Sequence, residues 1–258
     1  MSHGLTVSGN YTYSKALDDN VLNQNQAFFF SNSYHPGIDY GPSRFDLRHA
    51  FNAFYTYELP AGQGHRLNVG KVVSRIIGGW YTSGIVTART GFPLTVTQGT
   101  NSFGADAAGF AQSTVAIPTA SVSGSSTSQY NSSCKAEGAN ASNKGGSGQN
   151  AFGDPCAVYN SFRYVNIGSD TRTGKANPFY GQPFWNFDMS FGKKTKITEK
   201  TNLLFSGDLF NVFNHHTYND PNLSLQNPNA FGVITSTFTP ANRTNSARWI
   251  EFGLRLEF

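Results

Sequence analysis

Apolar and polar residues alternate with period two in six places along the chain. In Leu5–Lys15, Leu5, Val7, Gly9, Tyr11 and Tyr13 share one face, and Thr6, Ser8, Asn10, Thr12 and Ser14 share the other. Phe45–Leu59 places Phe45, Leu47, His49, Phe51, Ala53, Tyr55, Tyr57 and Leu59 opposite Asp46, Arg48, Asn52, Thr56 and Glu58, with Ala50 and Phe54 on the polar side. Trp80–Val96 is weaker, and Pro93 limits its far end because proline cannot donate to a ladder. Phe184–Gly192, Thr201–Phe213 and Trp249–Phe258 complete the set. Such alternation predicts half-buried strands. The predicted strands run about 9–15 residues. Globular strands average about 5–6, whereas a tilted strand crossing a bilayer needs about 9–11.

The connections alternate as well. A short basic turn, Lys193–Lys200, joins the fourth and fifth segments. The second and third are joined by a stretch of modest length with an amphipathic helical turn at Leu67–Ile77. Residues 16–44, 97–183 and 214–248 are long. Short connections on one side and long ones on the other describe an up-and-down barrel with its long loops outside the cell. The expected fold is therefore all-β: about six antiparallel up-and-down transmembrane strands forming part of a barrel, with 97–183 as a long extracellular loop.

Charge supports the two faces. Asp46, Arg48, Glu58, Arg89, Asp188, Asp208, Glu251, Arg255 and Glu257 all fall on the polar side. A lysine or arginine on the lipid side costs about 2–4 kcal/mol at the bilayer midplane. Lys15 and Arg248 break the rule only near expected outer strand ends, where long side chains snorkel. His49 is also on the apolar side, which calls for a bulge or a neutral imidazole. Tyr11, Tyr13, Tyr55, Tyr57, Trp80, Trp185 and Phe258 lie near strand ends, as an aromatic girdle would. Asp46, Arg48, Arg89, Asp188, Asp208 and Arg255 are the expected lumen-lining residues.

Composition agrees. Charged residues make up 13% of the 258 and aromatics 14%, yet mean hydropathy is −0.38. No run approaches the roughly 20 apolar residues of a spanning helix. A secreted, carbohydrate-binding β-sandwich shares much of this composition and is the alternative outside the membrane. Net charge is +4, but the basic residues form no stripe, so no nucleic-acid partner is expected.

Candidate chemistry is sparse. Cys134 and Cys156 lie in Gly/Ser/Asn-rich sequence without histidines at metal-ligand spacing, which favours a disulfide closing a surface loop. His215, His216 and Asp220 do not make a zinc set, because adjacent histidines on extended backbone point apart. Asp18, Asp19 and Asp39 lack calcium-loop spacing. Neither a nucleophile elbow nor a phosphate- or dinucleotide-binding fingerprint is present. The expectation is no enzyme, no metal and no cofactor. Residues 98–150, nearly free of charge, are expected to form a mobile outer loop.

The N-terminal "MSHGLTVSGNYTYSK" has no apolar or basic leader region. With strands destined for an oxidising compartment, this suggests the C-terminal part of a longer chain. "RFDLRHAFNAFYTYELPAGQGHR" (44–66), "GGWYTSGIVTARTGFPLTVT" (78–97), "FWNFDMSFGKKTKITEKTNLLFSGDLFNVFNHHTYNDPN" (184–222), "FGVITS" (231–236) and "RWIEFGLRLEF" (248–258) resemble the C-terminal barrel strands of Oar-like TonB-dependent outer-membrane transporters. The resemblance omits roughly 98–183, and "LFNVFNH" is its most specific piece.

It implies a 22-stranded barrel closed by an N-terminal plug and driven by the TonB complex, carrying an unknown extracellular ligand. The plug and most of the strands have no counterpart in these residues. "EFGLRLEF" resembles the C-terminal signal read by the barrel-assembly machinery, which assigns Glu251, Gly253, Leu256 and Phe258 to that role. The implied partners are outer-membrane lipid, the assembly machinery, a plug with further strands, and TonB. The alternative within the membrane is a structural or adhesive barrel completed by oligomerising.

Overall fold

The computed structural model describes residues 4–19, 37, 40–61, 73, 76–98, 115–120, 124–125, 129–131, 148–166, 169–170, 178–239 and 246–258. Six long strands form one antiparallel sheet in chain order: β1 (Leu5–Tyr13), β2 (His49–Glu58), β3 (Trp80–Arg89), β4 (Phe184–Lys196), β5 (Asn202–Phe210) and β6 (Trp249–Glu257). Each strand pairs with the strands next to it in the chain, and β1 and β6 are the two edges of a sheet that does not close. The register is continuous, running from Leu5 opposite Tyr57 to Tyr13 opposite His49 between β1 and β2. No bulge is needed at His49. Its ring hydrogen-bonds Tyr11 (Oη to Nδ1, 2.8 Å) and packs beside Tyr13 (5.2 Å between centroids).

Side-chain alternation sorts the sheet into two faces. Tyr11, Phe51, Ala88 and Trp185 share one row of the apolar face. Leu5, Tyr57, Thr82, Phe191, Gly207 and Phe252 share another. Gly207 belongs in that row because the Phe191 ring lies over it where a Cβ would stand. Val7, Phe252, Leu254 and Leu256 on this face are each more than half exposed, as a surface meant for lipid would be.

Several boundaries differ from those the alternation predicts. β4 continues to Lys196, so the hairpin turn is Ile197–Thr201 rather than Lys193–Lys200; it is closed by Ile197 N–H donating to the Thr201 carbonyl. Lys193 therefore sits on the apolar face. Its ammonium donates to the Ile76 carbonyl and lies 5.3 Å from the Trp80 ring, so the charge reaches back to the turn end. β2 starts at His49 rather than Phe45, and β3 stops at Arg89 rather than Val96. β5 stops at Phe210 because Asn211 and Asn214 both take positive φ (53° and 52°), a conformation asparagine tolerates.

The hydrophobic core is not in the sheet. It lies among the long connections, where Val96, Ala116, Ala151, Phe152, Tyr159, Phe162, Phe179, Leu223, Leu225, Phe231 and Ile234 pack together. These residues come from the β3–β4 and β5–β6 connections, which we call the cap. Phe231, fully buried, stacks under Phe152 and meets the edge of Tyr159. The Tyr159 hydroxyl donates to the Leu225 carbonyl at 2.9 Å. A short helix, α1 (Pro155–Asn160), begins where the Asp154 carboxylate accepts the Ala157 N–H at 2.9 Å.

Gly232 has φ +77° and packs against the Asn150 side chain, leaving no room for a Cβ. Thr97 is gripped from both sides of the β5–β6 connection: it donates to the Leu223 carbonyl and accepts from Leu225 N–H. Within 98–150, Val115, Ala116 and Asn150 are buried parts of the cap, against the expectation of a mobile loop. Asp39, Asp106, Lys135, Glu137 and Lys144 lie outside the described residues, as do most of Leu67–Ile77 and of 98–150.

Phe231→Ala removes a fully buried ring and should destabilise the cap by about 3–5 kcal/mol. Limited proteolysis should then cut within the β3–β4 and β5–β6 connections at least tenfold faster, while the β4–β5 hairpin stays protected.

Candidate functional site

The polar face of the sheet, with the cap above one end, is the candidate site. Its rows follow from register. Thr12, Ala50, Arg89 and Phe184 lie nearest the cap; next come Asn10, Asn52, Thr87 and Asn186. Ser8, Phe54, Ile85 and Asp188 form the third row, and Thr6, Thr56, Ser83, Ser190, Asp208 and Glu251 the fourth. Arg255 sits opposite Leu204, close to the hairpin-turn end. Hydroxyls, amides and carboxylates dominate this side because the other side takes the apolar set.

The structure sorts the six predicted lumen residues into three situations. Asp188 and Asp208 lie on the open face of the sheet. Asp188 Oδ1 accepts the Asn211 N–H at 2.7 Å, and Asp208 accepts the Ser190 hydroxyl. Arg89 and Arg255 are on the same face at opposite ends. The Arg89 guanidinium lies between the rings of Phe92 (4.6 Å) and Phe184 (5.4 Å), and Arg255 is highly exposed beside Glu257.

Asp46 and Arg48 are in a third setting, a polar cluster at the cap end of the sheet. Asp46 is fully buried ahead of β2. Its carboxylate accepts the Ala16 N–H (2.8 Å), Arg48 Nη2 (3.1 Å) and the Tyr180 hydroxyl (3.1 Å). Arg48 Nη2 also donates to Tyr180 Oη at 2.9 Å. This cluster ties the β1–β2 connection to the end of the β3–β4 connection. Burial alone pushes the Asp46 carboxyl up, but the three donors outweigh it and hold it below the ordinary carboxylate value. Asp46 raises Arg48 in turn through their hydrogen bond.

Two features escaped sequence reasoning. In "LFNVFNH", the Asn211 side chain donates to the carbonyls of His215 (2.6 Å) and Ser246 (2.8 Å) and accepts the His215 N–H. Asn214 accepts the Arg248 N–H at 2.9 Å. The two asparagines therefore set where β6 begins beside β5. His215 then stacks on Trp185 at 4.3 Å, with Phe213 nearby. Burial and the neighbouring His216 push His215 below the ordinary imidazole value. The second feature is Arg163, which grips Asp170 with both Nη atoms (2.6 and 2.7 Å), while Asn166 N–H donates to the same carboxylate. Arg163 and that amide lower Asp170 to about 2.

Cys156 is buried in α1 and disulfide-bonded; Cys134 lies outside the described residues. The predicted assembly residues occupy or follow β6. Glu251 accepts the Trp249 indole N–H at 2.7 Å, Gly253 faces Ser206, and Leu256 and Phe258 are exposed.

A strand of ten residues is about 33 Å long. Tilted by about 45°, it spans roughly the 25 Å apolar band of an outer-membrane barrel. The family model of an outer membrane beta barrel domain matches residues 1–250. The chain belongs to that family. It is an outer-membrane barrel protein of Gram-negative bacteria, and its exposed apolar face is the lipid face. The β-sandwich alternative falls with this assignment: the six long strands of this outer-membrane barrel chain make one sheet. No curated protein and no solved structure matches the chain.

The pKa directions give a pH dependence for the barrel's cap. Asp46 and Asp170 are both depressed in the fold, so their contribution is complete above an unfolded carboxylate value of about 4. It is lost as pH falls through their folded values, for Asp170 about 2. Near-UV circular dichroism should show cap packing lost between about pH 4 and 2. Asp170→Asn should loosen the cap at pH 7 and flatten its share of that transition.

Proposed function

We propose that the chain supplies six strands of an Oar-like, TonB-dependent outer-membrane transporter that takes up or displays an extracellular ligand. The observation that carries this reading is a set of membrane-length strands with a water-suited face and two open edges. Six strands are fewer than the eight that close the smallest barrels, so the sheet requires further strands. An open edge in lipid leaves backbone donors and acceptors without partners. In a wide barrel, the polar face becomes the wall of a passage. Asp188, Asp208, Arg89 and Arg255 line that passage, and no residue breaks or makes covalent bonds. The three long connections face outside, the two shorter ones face the periplasm, and Cys156 pairs with Cys134 to staple the outer cap. Glu251, Gly253, Leu256 and Phe258 are read by the assembly machinery, and the plug and the TonB complex act on the completed barrel.

A second reading is an adhesive barrel completed by copies of the same chain. The packed cap favours it, because an ordered outer surface suits a docking partner.

Fractionation of the source cells separates the two. An antibody raised against residues 98–150 should reveal an outer-membrane band several times heavier than 28.1 kDa. A denatured band at 28.1 kDa in that fraction would overturn the transporter reading and favour the oligomer.

A further inference from the structure

Two rows of the water-suited face differ from the rest. One holds Phe54, Ile85 and Asp188, with Phe210 and its register partner Trp249 beside them on β5 and β6. Phe54, Ile85 and Trp249 are 48%, 58% and 51% exposed, so apolar surface stands on the side that otherwise carries hydroxyls and amides. The adjoining row brings Ser190, Asp208 and Glu251. Neither Asp188 nor Asp208 has an ion-pair partner among the described residues. Where the rows meet, the sheet is dented by a depression of about 370 Å³ lined by Phe54, Ile85, Phe210, Asp188, Ser190 and Asp208. That is the size of a small-molecule pocket, and exposed apolar area of this kind marks a surface that something covers.

We propose that this depression binds a small organic cation with an aromatic or aliphatic portion. The proposal rests on the reading of this face as the wall of a passage. The apolar portion lies against Phe54, Ile85 and Phe210. The cationic nitrogen meets Asp188 and Asp208, whose fixed hydrogen bonds from Asn211 and Ser190 leave the remaining carboxylate oxygens for the ligand. Two carboxylates without a compensating base repel an anion of the same shape, and a neutral analogue leaves them unpaired.

The test uses outer-membrane vesicles from cells making the protein, with 2-phenylethylamine as the probe. Equilibrium dialysis should show saturable binding, at least tenfold weaker for 2-phenylethanol, which lacks the charge, and for ethylamine, which lacks the ring. Asp188→Asn/Asp208→Asn should weaken 2-phenylethylamine at least tenfold and leave 2-phenylethanol unchanged. Equal binding of amine and alcohol overturns the proposal, as does the absence of saturable binding. If the double variant does not reach the membrane, the comparison of the three probes on the unaltered protein decides. Ile85→Cys identifies the source of a failure. Labelling by a membrane-impermeant maleimide without amine binding overturns the site alone. A cysteine that resists the reagent and is reached from lipid overturns the passage reading, and the site with it.

Discussion

Backbone hydrogen bonding in a medium without water is the constraint from which the rest of this molecule follows. A strand in lipid has no solvent to satisfy its N–H and C=O groups, so each must find them in a neighbouring strand. Nearest-neighbour antiparallel pairing meets that demand with the shortest connections. It also forces every side chain to one of two faces, and the faces then differ only by what they touch. The apolar rows with Phe51, Tyr57, Phe191 and Phe252 and the polar rows with Asn52, Thr56, Ser190 and Asp208 are the two consequences of one ladder. The same constraint makes the free edges of β1 and β6 the least tolerable part of the sheet.

A sheet solvated by lipid on one side has no interior of its own, which explains where the buried core went. Water drives apolar side chains together only where water is present. In this chain that place is the set of long connections, and Phe152, Phe179, Phe231 and Leu225 gather there. Polar interactions join this cap to the sheet. Asp46 and Tyr180 bridge two connections, and Asn211 bridges β5 to the approach of β6.

Most of the sheet was legible in the sequence, because strand alternation is a local property and the lipid face enforces it without exceptions near the midplane. Boundaries were less so. Phe45–Arg48 alternates as cleanly as β2, yet Asp46 turns into a cluster with Ala16 and Tyr180, partners that no local pattern reveals. Phe213 continues the alternation of β5, but the positive φ of Asn211 has already ended the strand. The cap was invisible for a similar reason: its core residues come from segments far apart in the chain and share no sustained period. Asp188 and Asp208 could be placed on the polar face by counting. The exposed ring of Phe54 looked like an exception to the pattern until register set it beside Ile85.

The grip of Thr97 on Leu223 and Leu225 bears on the order in which this chain gains its shape. Those residues flank β4 and β5 in the chain, so a formed cap turns the hairpin into a closed ring with its ends already fixed. Bringing the ends of a long flexible segment together carries an entropy that grows with the logarithm of its length. Once the cap has met that demand, aligning β4 with β3 across the 94 residues of 90–183 is no longer a search over the whole connection. The apolar cluster outside the membrane thereby acts as a clasp on the pairing inside it.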